Sequence, residues 1–110
     1  MDKSIANTEI NNIVNVILEN VPALAIYLFG SFANGTANED SDYDFYVVVP
    51  DELQPIEMTW KITGAIPKEI KKSRSIDMLV GTESKFNKYK NAMSFIENEV
   101  IETGVKLYGQ

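Results

Sequence analysis

The run Asp42–Val49 constrains this chain more than any other segment. It reads Asp-Tyr-Asp-Phe-Tyr-Val-Val-Val and stops at Pro50. Aromatic and β-branched residues at this density form a strand, and proline cannot continue one. Alternate side chains of a strand share a face. Tyr43, Phe45, Val47 and Val49 therefore make an apolar face that asks for a cover of helices. Asp42, Asp44, Tyr46 and Val48 make the other, a partly exposed floor that begins charged and turns apolar. Carboxylates in so apolar a strand need a reason.

Around this strand the pattern alternates helix and strand. Ile10, Ile13, Val14, Ile17, Leu18 and Val21 recur at helical spacing over Asn7–Asn20. Asn7 or Thr8 is placed to cap that helix, and Pro22 lies past its end. Leu24–Phe29 is a continuous apolar run, hence a buried strand, and it meets Gly30–Ser31. The polar stretch Phe32–Ser41 reads as a loop or short helix. Pro55 opens a third helix with Ile56, Thr59, Trp60, Thr63 and Ile66 along it, and Trp60 is expected to pack inward. Gly64 and Pro67 should break it before Lys72. Ser75–Val80 is a third strand. Ser84 is placed to cap a last helical region whose apolar row is Phe86, Tyr89, Met93, Ile96 and Val100, with Gly104 as its stop.

This order predicts an α/β or α+β fold: a small mixed sheet of three strands or slightly more, with helices mainly on one face. At 110 residues the chain is expected to be a single domain, 1–110. Nothing after Met1–Lys3 resembles a signal peptide, and no stretch approaches the ~20 apolar residues of a membrane span. The cytoplasm is the expected location.

Composition narrows the chemistry. The chain has no cysteine and no histidine. Disulfides, thiolate zinc sites, serine–histidine triads and imidazole acid–base catalysis are excluded. Carboxylates, lysines, arginine, hydroxyls and backbone must do any work. The net charge of −6 disfavours free nucleic acid, whose phosphates it repels, and favours metal ions or a basic protein partner. Lys68, Lys71, Lys72, Lys85, Lys88 and Lys90 read as solvated helix faces.

Asp42 and Asp44, two residues apart on a strand, project together about 6.5–7 Å apart at the backbone. A third aspartate, Asp77, lies in the next strand. Taken alone it could pair with Lys71, Lys72 or Arg74 as a surface ion pair. For all three to meet Gly30–Ser31, strands one and two must be antiparallel and strands two and three parallel. The chain from Val49 to Ser75 is long enough for the crossover a parallel pair needs. Clustered carboxylates repel one another until divalent cations join them. Magnesium suits a site of carboxylate and phosphate oxygens. Gly30 lets backbone approach a phosphate, and Ser31 adds a hydroxyl beside a helix N-terminus.

Gly30–Ser31, ten residues, then Asp42–x–Asp44 resembles the signature of the DNA polymerase beta-like nucleotidyltransferases, with Asp77 at the place of their third carboxylate. The run Gly30–Val49 is similar to the minimal nucleotidyltransferases, and the resemblance extends to the terminal segment 101–109. It implies two magnesium ions held by Asp42, Asp44 and Asp77, ATP as substrate bound at Gly30 and Ser31, and a HEPN-domain toxin as partner. AMP would pass to a hydroxyl of that toxin, typically on tyrosine, and the chain would be its antitoxin. A small hydroxyl compound as acceptor, or neutralisation by contact alone, are the alternatives. Relatives often carry arginine where this chain has Phe32 or Asn34, which bears on triphosphate binding.

Overall fold

In a computed structural model, described here over residues 3–109, four strands form one sheet. The chain runs α1 (Lys3–Asn20), β1 (Ala25–Phe29), α2 (Ser31–Asn34), β2 (Tyr43–Val49), α3 (Pro55–Ala65), α4 (Lys68–Ser73), β3 (Ile76–Thr82), α5 (Glu83–Tyr89), α6 (Ile96–Thr103) and β4 (Val105–Tyr108). β1 pairs antiparallel with β2 and with β4, and β2 pairs parallel with β3. The sheet is mixed, as the placement of the aspartates requires. α3 and α4 supply the crossover between the parallel strands.

The larger core lies on the face of Tyr43, Phe45, Val47 and Val49, where α1, α3 and α4 cover it. α1 starts at Lys3 rather than at Asn7, because Ala6 extends the buried stripe Ile10, Ile13, Ile17 by one turn. Thr8 does not cap; its hydroxyl donates to Ser4 O inside the helix. α3 opens with Pro55 in its first turn, but its inward residues are Met58 and Ile62, followed by Ile66. This row, four residues apart, turns Trp60 outward, where it is 66% exposed instead of packed. The break falls at Ile66–Pro67, and Gly64 stays inside the helix.

The opposite face is less open than the alternation suggests. Tyr46 and Val48 are buried beneath Phe86 of α5 and Val100 of α6. The last helical region is two helices, not one. Phe95 N–H closes a turn on Ala92 O, and Ser94 within it has φ 79°. The turn swings Met93 out to 85% exposure. α5 is capped by Thr82, whose hydroxyl accepts from Lys85 N–H, while Ser84 binds the Asp51 carboxylate. Past Gly104 the chain returns as β4 along β1, a fourth strand of four residues. Among the described residues, no helix is long and apolar enough to cross a membrane.

Candidate functional site

Sheet register brings the acidic residues together. Asp44 lies opposite Phe29, the last residue of β1, and opposite Asp77 of β3. Paired residues on neighbouring strands share a face, so Asp44 and Asp77 project together. Their carboxyls stand close enough for Asp77 to raise the Asp44 pKa. Asp42 stands one residue before β2 and is exposed, as is Asp77; Asp44 is half-buried.

Gly30 follows directly on β1 with φ 72° and ψ −154°, a region open almost only to glycine. A Cβ there would stand 2.3 Å from Asp44 Oδ2, so any side chain would displace the carboxylate. Ser31 then begins α2. This helix is a single turn, and the N–H groups of Ala33 and Asn34 both turn back to Gly30 O at 3.1 Å. The anion site expected at its start is therefore small, resting on the Ser31 hydroxyl and the first amides.

The electrostatics agree with crowding. The Asp44 carboxyl is pushed up from 3.8 to about 6, first by burial, then by its hydrogen bond to Asp77 and the Asp77 charge, then by Asp42 and Glu99. Glu99 of α6 is a fourth carboxylate in reach. No spacing in the sequence announces it, since it belongs to an otherwise ordinary acidic helix face. Two carboxyls this close favour a proton or a cation between them. The donor set, all hard oxygen, fits magnesium. Among the described residues no three carboxylates are drawn around one point as a closed metal cage.

Beneath and beside the site lies a second network. Arg74, at the entry to β3, donates from Nη1 to Asn38 O and Glu39 O at 3.1 and 3.2 Å, and also to Ser41 O. Its guanidinium sits over the rings of Phe32 and Tyr43 at 4.9 and 5.5 Å. Phe32 thus receives a guanidinium from the junction of α4 and β3. The Tyr43 hydroxyl donates to Glu9 Oε1 at 2.5 Å, and burial together with Glu9 pushes its phenol up to about 12. On the other face, the Tyr46 hydroxyl donates to the buried Glu97 at 2.7 Å, with Lys85 Nζ 3.8 Å from the same carboxylate. Burial, then Glu97, raises the Tyr46 phenol far above its ordinary value.

Two cavities lie to the side of the aspartates. One of about 140 Å³ runs between α1 and the Gly30–Ser31 turn, lined by Lys3, Asn7, Ser31 and Phe32. Another, about 520 Å³, lies at the far end of the sheet beside Leu24, Phe86, Lys90 and Lys106. None of the three aspartates lines either. Asp42 and Asp77 stand on open surface, and Asp44 is half-buried.

A mixed sheet with carboxylates at the junction of two strands, beside a Gly-Ser turn, is the arrangement of a nucleotidyltransferase domain. Residues 11–110 match the family described as polymerase beta, nucleotidyltransferase, and the chain belongs to that family. It is similar to the protein adenylyltransferase MntA of Shewanella oneidensis, with 36% identity over 64 residues, covering 54% of this chain and 46% of the relative. The chain thus spans about half the length of the curated relative it matches. Among solved structures, a toxin–antitoxin assembly with AMP-PNP superposes with a TM-score of 0.67 at 26% identity, covering 91% of this chain and 73% of that one. A putative nucleotidyltransferase of Sulfolobus solfataricus shares the fold with a TM-score of 0.63 at 20% identity, covering 94% and 79% of the two chains.

Proposed function

We propose that this protein transfers AMP from ATP to a hydroxyl group, most simply a tyrosine, of a HEPN-type toxin, and acts as that toxin's antitoxin. One observation carries the reading: Asp44 is held in register with Asp77 and against the backbone of Gly30, with its carboxyl raised to about 6. A carboxylate pair built to need a cation, placed where a phosphate can approach bare backbone, suits a metal–triphosphate. The adenylyltransferase name of the Shewanella relative and the AMP-PNP in the toxin–antitoxin assembly support ATP as the donor and a toxin as the acceptor.

Asp42, Asp44 and Asp77 would hold magnesium, which when bound supplies positive charge to the triphosphate and to the attacking oxygen. Gly30 admits the triphosphate to its backbone, and the Ser31 hydroxyl donates to a phosphate oxygen. The acceptor oxygen attacks the α-phosphorus; the bond to the β-phosphate breaks and pyrophosphate leaves. Asp77, exposed on the edge strand, takes the proton that the acceptor loses. A phenol, ordinarily near ~10, needs such help to ionise.

The test is co-expression with a HEPN-type toxin, followed by mass spectrometry of the toxin. Wild-type protein should add one AMP or more, and Asp77→Ala should add none. A stable complex with unmodified toxin in both samples would replace transfer with neutralisation by contact.

A further inference from the structure

We infer that Arg74 is a positioning residue that fixes Asp42 relative to Asp44 and Asp77; the inference rests on the nucleotidyltransferase reading and adds a residue to it. Asp42 differs from the other two aspartates in its support. Asp44 and Asp77 sit within paired strands, whereas Asp42 precedes β2 at the end of a loop. The loop's own bonds are internal: Asn38 N–H to Ser41 Oγ at 2.9 Å, Asp40 N–H to Asn38 Oδ1 at 2.8 Å and Ser41 N–H to Asn38 O at 3.1 Å. They shape a turn without joining it to the sheet.

Arg74 makes that junction. One guanidinium nitrogen serves three loop carbonyls, of Asn38, Glu39 and Ser41. The Ser41 carbonyl belongs to the peptide group that carries the Asp42 nitrogen. The flat guanidinium also covers Phe32 and Tyr43, whose own rings lie 4.9 Å apart. These contacts fall one residue from the site on each side: Phe32 follows Ser31, and Ser41 and Tyr43 flank Asp42. Arg74 itself lies three residues before Asp77. The first rung between the strands, Tyr43 N–H to Ser75 O at 3.0 Å, is one residue further along. A single side chain thereby ties the phosphate turn, the loop of Asp42 and the strand of Asp77 together. Lysine replaces it only in part, because a compact ammonium lacks the rigid planar fork and stacks less well on rings.

The experiment compares wild-type, Arg74→Lys and Arg74→Ala proteins by hydrogen exchange and by magnesium dependence. Exchange in a peptide covering 36–42 should quicken by about 10-fold in Arg74→Ala, with Arg74→Lys between, while peptides of α1 and β1 stay protected. The magnesium concentration for half-maximal AMP transfer should rise by about 5- to 10-fold, with much of kcat regained at saturating magnesium. Unchanged loop exchange would overturn the inference. So would exchange that rises equally throughout the chain, which marks a general loss of stability, or a quickened loop with unchanged magnesium dependence. If wild-type protein transfers no AMP, the transfer reading fails by itself, and loop exchange still decides whether Arg74 holds the loop.

Discussion

Asp44 is raised to about 6 because burial and three neighbouring carboxylates all oppose its ionised form. An unfolded chain releases this proton near the ordinary 3.8, so between about 4 and 6 the folded state binds more protons. The metal-free protein must then lose stability from this group as pH rises through that window, and the loss persists above it. Asp44→Asn removes the effect. In EDTA, thermal unfolding should show the variant gaining on wild type by on the order of 1 kcal/mol at pH 7.5, after allowance for solvent screening, and by almost nothing at pH 4. Magnesium at pH 7.5 should close the gap by stabilising wild type alone. AMP transfer by Asp44→Asn should be undetectable. Gly30 is the partner constraint: at φ 72° and 2.3 Å from Asp44 Oδ2, a methyl group both strains the backbone and moves the carboxylate. Gly30→Ala should therefore lose at least ~10²-fold in transfer, measured with labelled ATP, from a displacement of about an ångström.

Elements are joined by pairs that the chain's periodicity does not announce. In β3, a Cβ on Gly81 would meet the Tyr46 hydroxyl at 2.1 Å and its ring carbon at 2.9 Å. That hydroxyl is committed to the buried Glu97 of α6, so it has nowhere to go. Gly81→Ala should cost about 1–3 kcal/mol in denaturant unfolding. Tyr46→Phe should cost a similar amount by leaving Glu97 poorly partnered. The double variant should cost less than the sum, because the phenylalanine makes room for the methyl. Ser94 offers a gain: a serine at φ 79° is strained, and Ser94→Gly should stabilise by about 1 kcal/mol. The same residue explains what the sequence conceals. Phe86, Tyr89, Met93, Ile96 and Val100 keep helical spacing across a turn that breaks the helix, since spacing counts residues and not backbone angles. β4 is hidden for another reason, as four residues after a helix are too few to show a period of two. The phase of α3 is hidden because Ile56 and Trp60 are large and apolar, yet Met58 and Ile62 face the core. β1, β2 and β3 were legible because each is a dense apolar run closed by Gly30, Pro50 or a helix cap. Asp42, Asp44 and Asp77 were legible because charges in such runs stand out. Glu99 and Arg74 were not, because each reaches the site from an element where a charge is ordinary.

At the scale of the whole molecule, the acidic site is a surface and not a chamber. Asp42 and Asp77 are exposed, and the cavities of about 140 and 520 Å³ lie away from all three aspartates. Among the described residues nothing around the carboxylates encloses a free acceptor, so on the transfer reading proposed above a docked partner that carries the attacking oxygen would orient it. Orientation is worth many orders of magnitude in rate, and a small alcohol colliding with an open site forgoes it. Free tyrosine, a tyrosine-containing dipeptide and an aminoglycoside at millimolar concentration should therefore accept label from α-phosphate-labelled ATP at less than ~1% of the rate of the toxin. With a net charge of −6, the protein should also hold a basic partner surface by long-range attraction. Transfer to the toxin at subsaturating concentration should fall by about 10-fold or more between low and physiological salt, while the rate at saturating toxin changes little. The two measurements together separate the acceptors. A small hydroxyl compound labelled as fast as the toxin, with no dependence on salt, would mean that the open carboxylate face accepts free substrates and that docking is not what orients the hydroxyl.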